Sequence, residues 1–213
     1  MHATDSTVVR GATARSAAIR DGVAGNSRIT GGAAAMLLVL LALEGATVPF
    51  VGSLLGPHIF IGMLLVPPVA LKLASAGYRL ARYYTGDPAY VRKGPPALPL
   101  RLLGPLVVAT SLALFATGVA LLVAGPPSDT LRFLHKASFI AWFAVMTVHV
   151  LGHILELPAL AAPDWRRHGG REAALAGSGL RVALLLGSLA AGLALALATI
   201  SAAGAWLSAS LGG

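Results

Sequence analysis

Seven ionisable residues stand inside otherwise apolar stretches of this sequence: Glu44, His58, Lys72, His135, His149, His153 and Glu156. Such groups are costly in a hydrocarbon setting and are functional candidates for that reason. Their spacing is informative. His135 and His149 are 14 residues apart, which is about 21 Å along an α-helix, and fourteen steps of about 100° return to within about 40° of the starting direction. Both rings therefore leave one helix face, at different depths. His58 and Lys72 repeat the interval. Two imidazoles at matched depth on neighbouring helices can bind one iron from opposite sides, and a centre filled in that way suits electron transfer, since no position stays open to substrate. His149, His153 and Glu156 fall at i, i+4 and i+7, a face that could also hold a divalent ion. The plainer reading of His153 and Glu156 is a pair of interfacial groups at a helix end.

Positioning these groups falls to five apolar runs, at about 30–53, 57–80, 100–124, 131–158 and 175–208. Each is near or above the roughly 20 residues that cross a hydrocarbon core. Gly56-Pro57, the polar stretch 79–99, Gly125-Pro126-Pro127 and the segment 163–172 separate them, and proline and glycine there end helices. The composition agrees: 56% hydrophobic and 11% charged, with a mean hydropathy of +0.79, against about 45–50% apolar and about 25% charged in soluble domains. Lipid cannot satisfy backbone groups, so helices are the sensible spans. The expected fold is an all-α polytopic membrane bundle of five transmembrane helices. Residues 1–28 read as a disordered cytoplasmic tail, 29–160 as a four-helix membrane core, 161–174 as a cytoplasmic loop, and 175–213 as a fifth helix with an external C-terminus. His2 and His168 fall in the tail and the loop, where they are solvated. The fifth run is almost wholly Ala, Leu and Gly, and reads as a lipid-facing or partner-packing helix.

The net charge of +8 comes from 13 Arg and 3 Lys against 8 acids. The basic residues cluster between apolar runs, which points to membrane lipids and orientation signals rather than nucleic acid. The tail and the second-to-third and fourth-to-fifth connections hold thirteen basic residues, whereas the opposite side holds only Arg132 and Lys136. That bias places the N-terminus in the cytoplasm and the C-terminus outside a cytoplasmic membrane. Tyr78, Tyr83, Tyr84 and Trp165 then fall at the cytoplasmic interface, and Trp206 near the outer one. The absence of Cys excludes disulfides, iron–sulfur clusters and thiolate metal sites. No Ser/His/Asp arrangement or phosphate-cradling loop appears, so an electron-transfer subunit is favoured over a self-contained enzyme.

The segments LGPHIFIG at His58, FLHKASF at His135 and TVHVLGH at His149 resemble the membrane di-haem cytochrome b class. That class includes respiratory cytochrome b and the cytochrome b subunits of hydrogenases and formate dehydrogenases. The resemblance covers residues 30–160 and rests on paired histidines and on glycines at similar spacing: Gly45 with Gly31, and Gly118 with Gly104. Gly62, one turn from His58, joins them as room for a porphyrin. It implies haem b at an outer site held by His58 and His135, with His149 and either Lys72 or His153 defining an inner one. It also implies a quinol or a redox partner protein as electron source. The chain departs from the pattern at Lys72, where the class has its fourth histidine, and Pro67-Pro68 should bend the span that carries it. Lys72 is expected to snorkel toward the headgroups. Glu44 has no basic neighbour in sequence and is expected to stay neutral, to hydrogen-bond a neighbouring helix, or to pair with His58, Arg132 or a haem group; a structural hydrogen bond is favoured over proton handling. The alternatives are a haem-free membrane scaffold or partner subunit, and a small-solute transporter using Glu44, Lys72 and the histidines.

Overall fold

A computed structural model describes the backbone of residues 3–94, 98–126, 128–153 and 178–211, and their regular structure is entirely helical. The elements are α1 (Ala3–Thr47), a 3-10 turn (Val48–Phe50), α2 (Leu55–Tyr84), α3 (Pro88–Lys93), α4 (Leu98–Ala124) and α5 (Asp129–His153). After a break come α6 (Ser178–Thr199), a second 3-10 turn (Ile200–Ala203) and α7 (Gly204–Leu211). Five stretches are long and apolar enough to cross a membrane: Gly22–Phe50, Leu55–Tyr84, Arg101–Ala124, Asp129–His153 and Ser178–Ser208. The chain is an all-α integral membrane protein.

Local chemistry accounts for the boundaries. Pro57 stands in the first turn of α2, where a missing N–H breaks no intrahelical bond. Gly125 ends α4 at φ +67, a left-handed conformation that glycine adopts without a Cβ penalty, and its N–H bonds the Leu121 carbonyl at 3.1 Å. The polar 79–99 stretch contains α3. Its Asp87 cap accepts from the Ala89 N–H at 2.9 Å and pairs with Arg82, while Tyr90 packs edge-on against Tyr78 at 6.1 Å. Burial pushes the Tyr90 phenol above its usual value, and Tyr78 beside it adds to the effect.

Two expectations need correction. The helix of the first span does not begin near residue 29. It runs from Ala3, and by Asn26 it is already hydrogen-bonded to α2 through the Ser75 carbonyl at 3.2 Å. A Gly-, Ala- and Thr-rich segment can pack closely on a neighbour without looking apolar, which is why composition misplaces this boundary. Pro67 and Pro68, expected to bend the second span, lie inside one continuous helix, and Pro68 is fully buried. Arg181, expected with the cytoplasmic loop, is in the first turn of α6 and buried. The rest of that loop, Glu156 and the expected end of the fourth span at 158 lie outside the described residues.

Packing divides the bundle into two parts. α2 runs between α1 and α6, while α5 packs mainly on α4. Small residues set the first group. A Cβ on Gly192 of α6 would lie 2.2 Å from the Leu64 carbonyl of α2, and one on Gly32 of α1 would lie 2.8 Å from Leu185 Cδ1. At Gly192 the two backbones therefore approach as closely as glycine allows, while Gly32 makes room for the Leu185 side chain. α6 is thus built into the bundle rather than added beside a four-helix core. In the second group the Trp142 indole donates to Ser111 Oγ at 3.1 Å. The parts join where α4 turns into α5. Trp206 of α7 donates to the Leu121 carbonyl at 3.0 Å, and the Arg132 guanidinium lies 5.6 Å over the Trp206 ring.

Candidate functional site

The second junction between the parts is a pair of imidazoles. His58 lies in the first turn of α2 and His135 in the second turn of α5, and their ring centroids are 6.3 Å apart with planes at 74°. Apart from this meeting, α2 and α5 make almost no close backbone approach. Two imidazoles on opposite sides of one metal, each with a bond of about 2.0–2.1 Å, hold their centroids about 6 Å apart. The observed centroid separation is of that size.

Hydroxyl groups settle which ring nitrogen carries the proton. Thr47 Oγ1 is 2.6 Å from the Glu44 carbonyl, so its single hydrogen is given there. Its 3.0 Å contact with His58 Nδ1 is then one in which the ring donates. Glu44 Oε1 lies 2.9 Å from the same nitrogen and accepts as well. At the second ring, Thr117 Oγ1 gives its hydrogen to the Ala113 carbonyl at 2.8 Å and accepts from His135 Nδ1 at 3.1 Å. Both rings therefore keep Nδ1–H, and Nε2 is the nitrogen with a lone pair for a metal. This is the arrangement that metal-ligating histidines adopt, with the second nitrogen donating to an oxygen.

The glycines sort by what a side chain would meet. A Cβ on Gly118 would lie 3.2 Å from His135 Cε1, so this position lets the ring sit against α4. One on Gly62 would lie 3.5 Å from Glu44 Oε1, an ordinary contact, so Gly62 adjoins the acid without being required to admit it. At Gly45 and Gly104 a Cβ would meet open space, and neither serves a close approach.

The other end of the bundle differs. Lys72 does not extend to the headgroups; its Nζ donates to the Thr30 carbonyl on α1 at 2.9 Å. Beside it, Ser75 Oγ donates to Asn26 Oδ1 at 3.0 Å and also meets Thr30 Oγ1. That bond engages the Lys72 amine with the α1 backbone, and in its charged form the amine has no lone pair to offer iron. His149 and His153 face each other on α5 with ring centroids 4.9 Å apart. Among the described residues no three His, Asp or Glu side chains converge to hold a metal ion. Glu156, the third member of the i, i+4, i+7 face, lies outside the described residues.

Of the sequence candidates, then, His58, His135, Glu44, Gly62 and Gly118 come together, whereas Lys72, His149 and His153 form no joint site with them. Sequence reasoning missed Thr47, Thr117 and the Asn26–Thr30–Ser75 cluster. Thr47 is three residues from Glu44 on the same helix face, and that spacing was the available signal. Comparison with protein-family models, with curated proteins and with solved structures finds no match.

Proposed function

We propose that this membrane protein is b-type-cytochrome-like and holds one haem b between His58 and His135, through which electrons pass within or across a bacterial cytoplasmic membrane. The observation that carries the reading is the 6.3 Å imidazole pair with both Nδ1 atoms donating to oxygens. A haem iron takes four bonds from its porphyrin, so two protein ligands complete it without a three-residue cluster. When bound, the haem would supply a one-electron couple. His58 and His135 would bind it, Thr47 and Thr117 would orient the two rings, and Gly118 would let the His135 ring lie against α4. The sparse contact between α2 and α5 suits a group interposed between those helices. No second haem is assigned at the Lys72 end, because Lys72 is committed to Thr30. The chain has no flavin or nicotinamide motif, so electrons would come from a quinol or a redox partner protein. The positive-inside bias puts the histidine pair near the outer leaflet, with the N-terminus cytoplasmic.

A second reading is a haem-free scaffold or partner subunit, and the exposure of α5 favours it. Phe133, Ile140, Phe143 and Leu151 are all exposed on a helix that packs mainly on α4. Haem content separates the two. Protein purified from haem-supplemented cells should carry haem, and His58→Ala and His135→Ala should each lose it. Full retention in both variants would overturn the cytochrome reading.

A further inference from the structure

The two imidazoles are not held alike. His135 donates to a neutral hydroxyl on Thr117, whereas His58 donates to a carboxylate and a hydroxyl together. A carboxylate is expensive in an apolar bundle, and one hydrogen bond recovers only part of the cost. Glu44 is mostly buried, with 15% of its side chain exposed. Its second oxygen, Oε2, has no hydrogen-bond partner among the described residues. Arg132 and Lys136, basic residues on α5, do not neutralise it; Arg132 pairs with Asp129 and lies over Trp206. A buried acid kept half-satisfied, with its one good bond made to a ring nitrogen, is placed to act on that ring.

We propose that Glu44 is a positioning residue for His58: it holds the Nδ1 proton, fixes Nε2 as the donor nitrogen, and makes His58 the stronger electron donor of the pair. The inference rests on the haem reading above. A negative charge behind an imidazole raises its basicity toward the metal. A more basic ligand favours the oxidised iron, so the site is poised at a lower potential than two hydroxyl-held histidines would give.

The test is a redox titration of the haem-loaded protein and its Glu44→Gln and Glu44→Asp variants, with His58→Ala alongside. Glu44→Gln should retain haem and its low-spin spectrum. At a fixed ambient potential it should shift the reduced-to-oxidised ratio about tenfold toward reduced, a rise of about 59 mV for a one-electron couple. Glu44→Asp, which keeps the charge, should recover most of that shift. A Glu44→Gln titration superimposable on wild type, with His58→Ala still losing its haem, overturns the role of Glu44 and leaves the haem reading intact. Haem fully retained in His58→Ala overturns the reading itself. Where Glu44→Gln sheds haem, ¹⁵N-histidine spectra of the haem-free protein decide. Thr47→Val should still show His58 as the Nδ1–H tautomer, held by Glu44, and Thr47→Val with Glu44→Leu a mixture of both; an unchanged tautomer in the double variant overturns the proposal.

Discussion

The two ends of this bundle begin from nearly the same sequence arithmetic and arrive at different chemistry. At one end His58 and His135 meet between α2 and α5, each with Nδ1 on oxygens of its own surroundings, Thr47 and Glu44 for one and Thr117 for the other. At the other, Lys72 turns to α1 and His149 pairs with His153 on its own helix. The 14-residue interval is the same in α2 and α5. What differs is the partner. The first end has an acid and two threonines that accept a ring N–H, while the second has a backbone carbonyl that accepts from an amine. Equal depth makes a meeting possible; complementary hydrogen bonding on the neighbouring helices decides whether it happens.

The sharpest way to break this contrast is to remove ligands at each end. His58→Ala or His135→Ala should abolish haem retention, whereas Lys72→Met and His149→Ala should leave the haem-to-protein ratio at its wild-type value, all read from absorption spectra. Next in size is a cut at the lysine end alone. Ser75→Ala removes a side chain that bridges α1 and α2 and leaves Asn26 under-satisfied, at a cost of about 1–3 kcal/mol. It should lower thermal stability in detergent while haem content stays unchanged. A smaller effect belongs to the histidine end. The methyl of Gly118→Ala would sit 3.2 Å from His135 Cε1, so haem affinity should fall about three- to tenfold, up to about 1.4 kcal/mol. The smallest expected change is none. Lys72→His restores the histidine of the di-haem pattern, yet that side chain starts from a position directed at α1, and one haem per chain should remain. A second haem in Lys72→His would show that residue identity alone separates the ends.

Much of the fold was legible because lipid is a demanding solvent. Five long apolar runs with glycine and proline between them leave few arrangements other than five helices. The meeting of His58 with His135 was also legible, since depth and face follow from counting along a regular helix. Other features needed the rotation of each helix about its axis. Thr47 and Thr117 carry no signal apart from the histidines they face, and hydroxyls inside apolar helices are ordinary. The central place of α6 was hidden for the opposite reason. A helix of Ala, Leu and Gly presents similar surfaces all round, and only the approach of Gly192 to the Leu64 carbonyl shows which side is buried. The start of α1 was misplaced because its interhelical contacts begin at Asn26, a residue that composition assigns to a tail.

The most direct test of a single haem between His58 and His135 is a haem assay joined to electron paramagnetic resonance on the oxidised wild-type protein. The account predicts one haem per chain and a low-spin ferric signal characteristic of two imidazole ligands. Haem-free protein from haem-replete cells, a high-spin signal from an iron with an open position, or two haems per chain would contradict it.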